Sequence, residues 1–489
     1  MFHLAFFIKN KFLILLVLLS AILYWFFAYQ MIRTDYKTLV LTYSLLWLIF
    51  LLIPIVIGKK YAQDNFKLLT LIAFISRAIF IFAIPNLSQD FYRFIWDGRM
   101  LFEGFNPYLY TPDSFINNGK FPVFEAQELY NGMGALSSSH FTNYPPINQL
   151  CFYIAALFSG KSILGSVTVL RLLIIAADIG TLYFGKKLLE RLKLPPNRIF
   201  WYILNPFIII ELTGNLHFEG VMIFFLVWSL YLLHSGKWKW AAVVLACSIS
   251  VKLIPLMLLP LFFRWFNSAR FDYAQRPSFG NQEQKSASNH LNTDKTSQVL
   301  KTCEVSYLKL IWFYLIIGCT TILLFLPFFS MEFINNYSKT VGLWFGNFEF
   351  NASIYYIARA IGYAITGYNE IAIIGKVLPV ISVLVILFFS FFKKNHTIPT
   401  LTTSMLLAFT CYLFLSTTVH PWYIATLVIL CVFTDYKFPL VWSFALILSY
   451  LAYANASNSE NLWIIALEYG IVFSAFIWEV FIKKKPQHL

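Results

Sequence analysis

Charge is scarce in this 489-residue sequence: Asp, Glu, Lys and Arg make up 12% of it, against about 25% in an ordinary soluble domain. Acidic charge is scarcer still, 23 residues against 37 basic ones, for a formal net of +14. That balance would suit a nucleic-acid partner if the basic residues covered a surface. They cluster instead in short loops between apolar runs: Lys59-Lys60, Lys186-Lys187 with Arg191, Lys193 and Arg198, Lys393-Lys394, and Lys483-Lys484-Lys485. This is the positive-inside pattern of membrane proteins, so the charge reports orientation and contact with anionic lipid, not nucleic acid. Cysteine is also sparse. The six present (Cys151, Cys247, Cys303, Cys319, Cys411, Cys431) are scattered and have neither metal-ligand nor redox-motif spacing, which argues against a disulfide framework or a zinc site. No phosphate-binding glycine loop, dinucleotide fingerprint, internal repeat or soluble catalytic domain is found.

What fills the chain is apolar: 59% of residues are hydrophobic and 52 are Phe. Runs of about 20 apolar residues, the length that crosses a bilayer, recur from end to end. The runs are continuous, not alternating, which excludes a β-barrel. The expectation is an all-α polytopic membrane protein, one membrane-embedded domain over 1–489, with about twelve to fourteen hydrophobic helices. The first run, Phe12 to Met31, is too long and too aromatic for a signal peptide and is read as a retained span. Spans at 12–31, 39–58 and 66–85 and the basic loops place residues 86–146 outside the cytoplasm. That external loop has six acidic and three basic residues; its aromatics argue against disorder. Residues 330–350 are read as a second external loop, and 147–160 and 353–366 as non-spanning helices. Residues 264–308, rich in Ser, Asn, Gln and Lys, read as a disordered cytoplasmic insertion.

Four polar clusters fall on the external side under this topology: Asp90 to Arg99, His217 to Glu219, Lys252, and His420. Ionisable groups beside apolar runs are costly and seldom idle. Asp90, nearest the end of the third span, is the best candidate for a general base. Asp97 would share its face on a helix, or pair with Arg93 four residues before it. Arg93 and Arg99 suit phosphate. Lys252 interrupts the run 240–263 and demands a partner or water. Arg171 and Asp178, two turns apart, read as structural polar groups of the bundle. Such a set fits transfer from a lipid-phosphate-linked substrate to a hydroxyl, one carboxylate taking the acceptor's proton and cations meeting the departing phosphate.

Taken in order, the motifs Ser88-x-Asp90-x-Tyr92-Arg93-x-x-x-Asp97-Gly98-Arg99, Gly104-x-Asn106-Pro107-Tyr108-x-Tyr110-x-Pro112, Tyr144-Pro145-Pro146, Asn205-Pro206, Gly214-Asn215-x-His217-x-Glu219-Gly220, Lys252-x-x-Pro255 and His420-Pro421-Trp422-Tyr423 resemble the GT-C superfamily of membrane glycosyltransferases. The nearest likeness is to polyprenol-phosphate-mannose-dependent mannosyltransferases of bacteria; a more distant one is to the enzyme that adds the first mannose of glycosylphosphatidylinositol anchors. The resemblance implies inverting transfer of a hexose, mannose in that group, from a polyprenyl-phosphate sugar to an exoplasmic acceptor hydroxyl. It implies Asp90 as base, and Arg93, Asp97, Arg99, Asn106, Tyr108, Tyr144, His217, Glu219, Lys252, His420 and Tyr423 as substrate-binding residues. It further implies a bacterial inner-membrane location with the site on the periplasmic face, and membrane lipids as partners. Ser88 stands where some relatives carry the first acid of an Asp-x-Asp pair, so a divalent cation is left open as a cofactor. The rivals are a transporter or flippase of lipid-linked sugars and a lipid-linked glycan polymerase or ligase.

Overall fold

The computed structural model describes residues 11–57, 65–267, 294–346, 348–455 and 459–483. Lys59, Lys60, Lys484, Lys485 and residues 268–293 of the polar insertion lie outside these. Of the rest of that insertion, 264–266 close a short helix (Phe263–Phe266) and 294–308 begin a long one, so the flanks expected to be disordered are helical.

Among the described residues the chain is helical, with a single isolated bridge between Phe350 and Thr418. Seven helices are long and apolar enough to cross a membrane: Lys11–Tyr29 (α1), Tyr36–Val56 within Tyr36–Ile57 (α2), Ile163–Arg191 (α7), Tyr307–Phe328, Ile371–Phe392 (α13), Ile398–Leu415 (α14) and Leu462–Ile482. A bent pair, Pro206–Gly214 and Glu219–His234 (α8), would add an eighth span, and five shorter apolar helices fill the bundle. The expected twelve to fourteen hydrophobic helices are therefore a mixture of spanning, broken and partial ones.

The third apolar run does not stay helical to Pro85. Helix α3 (Phe66–Ala78) stops early, and the chain continues in turns. The carbonyls freed there are met by side chains: Ile79 by the Tyr29 hydroxyl (2.9 Å) and Ile81 by the Arg171 guanidinium (2.9 Å). Arg171 also donates to the carbonyls of Thr213 and Gly214, both at 2.9 Å, where the bent pair turns through 115°. One buried arginine thus satisfies two interruptions of helix, which hydrocarbon would otherwise forbid. Asp178, two turns on, pairs with buried Arg77 at 2.7 Å. Both residues are structural, as expected.

Residues 86–146 fold into helices α4 (Asp90–Phe102) and α5 (Ala126–Ser138) with a short turn of helix at 112–116. Asp90 opens α4, where a carboxylate meets the positive end of the helix dipole, and Arg99 lies in its last turn. Helix α4 lies on α6 (Pro146–Ser159), Phe94 stacking on Phe152 at 4.7 Å between centroids. Gly98 makes that approach possible: a Cβ there would sit 2.2 Å from the Phe152 carbonyl oxygen. Helix α6 is too short to span, as expected, and its Ile147 N–H donates to the Ser250 carbonyl (2.9 Å). That bond ties α6 to the break after α9 (Trp238–Ile249), where Lys252 sits before a 3-10 segment at Ile254–Phe262. Residues 330–350 are not a plain loop: Met331–Gly346 form a helix (α11, following α10 at Asp294–Phe325). Ile354–Thr366 (α12) is the short helix expected there.

One end of the bundle gathers basic residues. Arg191 bonds Ser235, Arg198 pairs with Asp435 at 3.3 Å, Arg264 donates to the Phe391 carbonyl at 2.9 Å, and Lys437 N–H meets Glu479 at 2.6 Å. The opposite end opens into a cavity.

Candidate active site

The cavity has a volume of about 1270 Å³, above the usual range for small-molecule sites. Its wall is assembled from segments far apart in sequence: Arg33 after α1, Ser88 to Asp90 and Arg93 at the start of α4, His140 to Pro145, Lys252 to Met257, Phe348 to Phe350, α13, His420 to Tyr423, Tyr450, Tyr453 and Glu460. Near α13 the lining is apolar, with Leu256, Met257, Pro379, Val383 and Ile386.

Asp90 is partly buried on this wall, and its backbone N–H donates to Ser88 Oγ at 3.3 Å. Its carboxylate has no hydrogen bond to another side chain among the described residues, so both oxygens are available to the cavity. Burial lifts its pKa above the ordinary aspartate value and Glu219 adds to the rise; Lys252 and Arg33 oppose it. Lys252 Nζ pairs with buried Glu219 at 3.1 Å and stands 5.3 Å from the centre of the Tyr144 ring. Buried Glu219 therefore anchors the lysine whose head reaches the cavity.

His420 lines the cavity; burial, helped by Lys252, pushes its pKa down to about 3, so it is neutral at pH 7. Its Nδ1 has no hydrogen-bond partner among the described residues. Its ring stacks on Trp422 at 4.6 Å, and Trp422 stacks on His217 at 3.8 Å. His217 is buried behind that ring, 3.7 Å from Glu211, which accepts from the Tyr450 hydroxyl at 2.5 Å. The segment 214–220 is an interior wall, with Asn215, His217 and Glu219 each no more than 1% exposed.

Arg93 donates from Nε to Asp97 at 2.8 Å and from Nη1 to the carbonyls of Ser137 and His140 at 2.5 and 2.9 Å. Its Nη2 has no hydrogen-bond partner among the described residues, and the residue lines the cavity. Tyr144 and Tyr423 also line it.

Besides His217 and Glu219, four further expected site residues fall behind the wall. Asp97 is fully buried and shared between Arg93 and Gln149 (3.0 Å), so it braces Arg93 instead of facing substrate. Arg99 is held by Glu125 and the Phe124 carbonyl. Asn106 bonds the Phe328 carbonyl at 3.3 Å and caps Tyr108 N–H at 3.1 Å. Tyr108 donates to the Tyr144 carbonyl at 2.5 Å. These four position the wall.

Sequence reading missed Arg33, whose guanidinium lies 3.3 Å from the centre of the Tyr453 ring and whose Nε has no hydrogen-bond partner among the described residues. The available signal was a basic residue in the short loop between the first two spans, on the side where the positive-inside rule leaves few. Glu349, Tyr356, Arg359 and Glu460, also on the wall, carried no motif. Among the described residues no group of three or more His, Cys, Asp or Glu side chains is placed to hold a metal ion. A site built from protein ligands alone does not fit this cavity.

Residues 16–267, just over half of the chain, match the family model described as alpha-(1->6)-mannopyranosyltransferase, N-terminal domain. A 192-residue stretch is 24% identical to alpha-(1->6)-mannopyranosyltransferase A of Corynebacterium glutamicum, covering 39% of this chain and 37% of that relative's length. Residues 16–267 contain α4, the bent pair and Lys252, and thus the Asp90 side of the cavity. The chain belongs to the alpha-(1->6)-mannopyranosyltransferase family.

Proposed function

We propose that the protein is a GT-C-type mannosyltransferase that moves a mannosyl group from a polyprenyl-phosphate mannose to an acceptor hydroxyl, with inversion at the sugar carbon. Asp90 takes the acceptor's proton as the acceptor oxygen bonds to C1. The bond from C1 to the phosphate oxygen breaks on the opposite face, and its electron pair leaves on the polyprenyl phosphate. Lys252, Arg33 and the free Nη2 of Arg93 face the growing phosphate charge, and neutral His420 donates or accepts a hydrogen bond there. Glu219 positions Lys252, His217 supports the ring behind His420, and Tyr144 and Tyr423 shape the pocket. The apolar lining near α13 suits the lipid tail of the donor.

The observation that carries this reading is the unpaired Asp90 carboxylate beside cations in a large cavity on the Asp90 side matched by the family. The basic end of the bundle supports a cytoplasmic assignment for that face. The cavity would then open on the periplasmic side of a bacterial inner membrane. No step is routed through a divalent cation; EDTA treatment of the purified protein measures whether one accompanies the donor phosphate.

The decisive experiment supplies the purified protein with radiolabelled polyprenyl-phosphate mannose and identifies what becomes labelled. Asp90→Asn keeps the side-chain size and removes the base, so transfer should fall by about 10²- to 10⁴-fold with the thermal unfolding midpoint unchanged. Transfer by the variant at the wild-type rate would remove Asp90 from the role. Movement of intact donor across vesicles without transfer would favour a flippase.

A further inference from the structure

The proposed transfer leaves one buried carboxylate without a role. Glu211 is 2% exposed and stands in the π-helical turn Ile209–Gly214, within the bent pair. Wide turns of this kind recur at functional sites, and a carboxylate at such depth is expensive to bury. Its polar contacts are few. The Tyr450 hydroxyl donates to Oε1 at 2.5 Å, and His217 Nε2 stands 3.7 Å from Oε2. The second distance is too long for a hydrogen bond, and neither Oε2 nor His217 Nε2 has another partner among the described residues.

The hydrogen bond to Tyr450 fixes a stack that ends in a cation. Tyr450 packs on Tyr453 with ring centres 5.7 Å apart, and the Arg33 guanidinium lies 3.3 Å from the centre of the Tyr453 ring. Arg33, Tyr450 and Tyr453 line the cavity, with Glu211 behind them. Attraction between a cation and a ring face has little direction of its own, so the place of the guanidinium depends on the ring beneath it. The opposite charges of Glu211 and Arg33 attract one another as well.

We infer that Glu211 is a positioning residue: its carboxylate fixes Tyr450, Tyr450 fixes Tyr453, and together they set the Arg33 guanidinium where it meets the phosphate of the lipid donor. The inference rests on the mannosyl-transfer reading for the identity of that phosphate. Its sign distinguishes it from a direct effect of charge. A buried anion repels a phosphate, so removing the charge of Glu211 would tighten phosphate binding if nothing else changed. Acting through Arg33, the removal weakens binding instead.

The test titrates the full chain in detergent micelles with radiolabelled undecaprenyl phosphate, which carries the phosphate without the sugar. Glu211→Gln removes the charge and keeps an acceptor for Tyr450; Tyr450→Phe keeps the ring and removes the donor. Each should weaken binding about tenfold, a usual coupling within one network. In an Arg33→Ala background neither should weaken it by more than about twofold, while in His420→Ala both should keep their full effect. With labelled polyprenyl-phosphate mannose, Glu211→Gln should raise the donor's KM about tenfold and leave the acceptor's within about twofold. Tyr450→Phe carries the test if Glu211→Gln does not fold. Unchanged or tighter binding in the folded variants, equal weakening with and without Arg33, or an effect lost in His420→Ala would overturn the role of Glu211. The expected pattern of phosphate binding without any transfer of mannose would defeat the mannosyl-transfer reading and leave that role standing. A wild type that binds no undecaprenyl phosphate would overturn both.

Discussion

Lys252 faces in two directions: it neutralises buried Glu219 at 3.1 Å and holds down the pKa of Asp90. The sign of its removal follows. In Lys252→Met the charged form of Asp90 loses an opposing cation and gains an uncompensated Glu219 nearby, so the Asp90 pKa rises. The proposed base is active only when deprotonated, so the acid limb of the pH–rate profile should move to higher pH, read from kcat/KM between pH 4 and 8. The same variant strands a buried carboxylate and should cost about 3 kcal/mol of stability, measured by denaturant unfolding in detergent. An acid limb unmoved by the substitution would show that Asp90 and Lys252 do not share an electrostatic environment. Asp90, Lys252 and His420 could be picked from sequence because each stands beside a long apolar run. Asp97 and Arg99 could not be separated from them, since what decides their role is the direction each side chain takes from α4.

Helix α4 carries the proposed base, and its placement depends on a contact without side chain. Gly98→Ala would drive a methyl into the Phe152 carbonyl, so α4 must shift away from α6. Overpacking of this kind costs about 1–3 kcal/mol, and the shift would displace Asp90 from Lys252. A lowered thermal midpoint together with lost transfer is the expected pair; loss of stability with full activity in the surviving fraction would show that the helix does not set the base. The helices themselves were legible where apolar runs are long, as for α1, α2 and α13. The run at 66–85 misled because its last residues are apolar yet not helical. Donors from Tyr29 and Arg171, remote in sequence, stand in for the missing helical bonds. No local pattern announces such a substitution.

For the whole molecule, the two faces of the bundle make a labelling prediction. Exposed Asn118 lies in the segment between α4 and α5 on the cavity side, and exposed Lys394 in the basic loop after α13. A membrane-impermeant maleimide applied to intact cells should react with Asn118→Cys and leave Lys394→Cys unlabelled until the membrane is permeabilised. The reverse pattern would turn the cavity toward the cytoplasm. The cavity end could be anticipated from the positive-inside rule and the family-like motifs. The wall contributed by Glu349, Arg359 and Glu460 could not, because these residues come from short segments joined only by folding.

Arg171 is a keystone for both interruptions, since three backbone carbonyls from two separate segments converge on its one guanidinium. Without it the Thr213 and Gly214 carbonyls have no other side-chain donor among the described residues and Ile81 keeps only the Thr168 hydroxyl at 3.4 Å, and each lost bond is worth about 1–3 kcal/mol. Damage there would be all-or-none for each molecule. A preparation of Arg171→Met should contain fewer competent copies of the protein, each carrying out the proposed transfer normally: total velocity falls in step with the folded fraction, while the Michaelis constants of the survivors stay where they were.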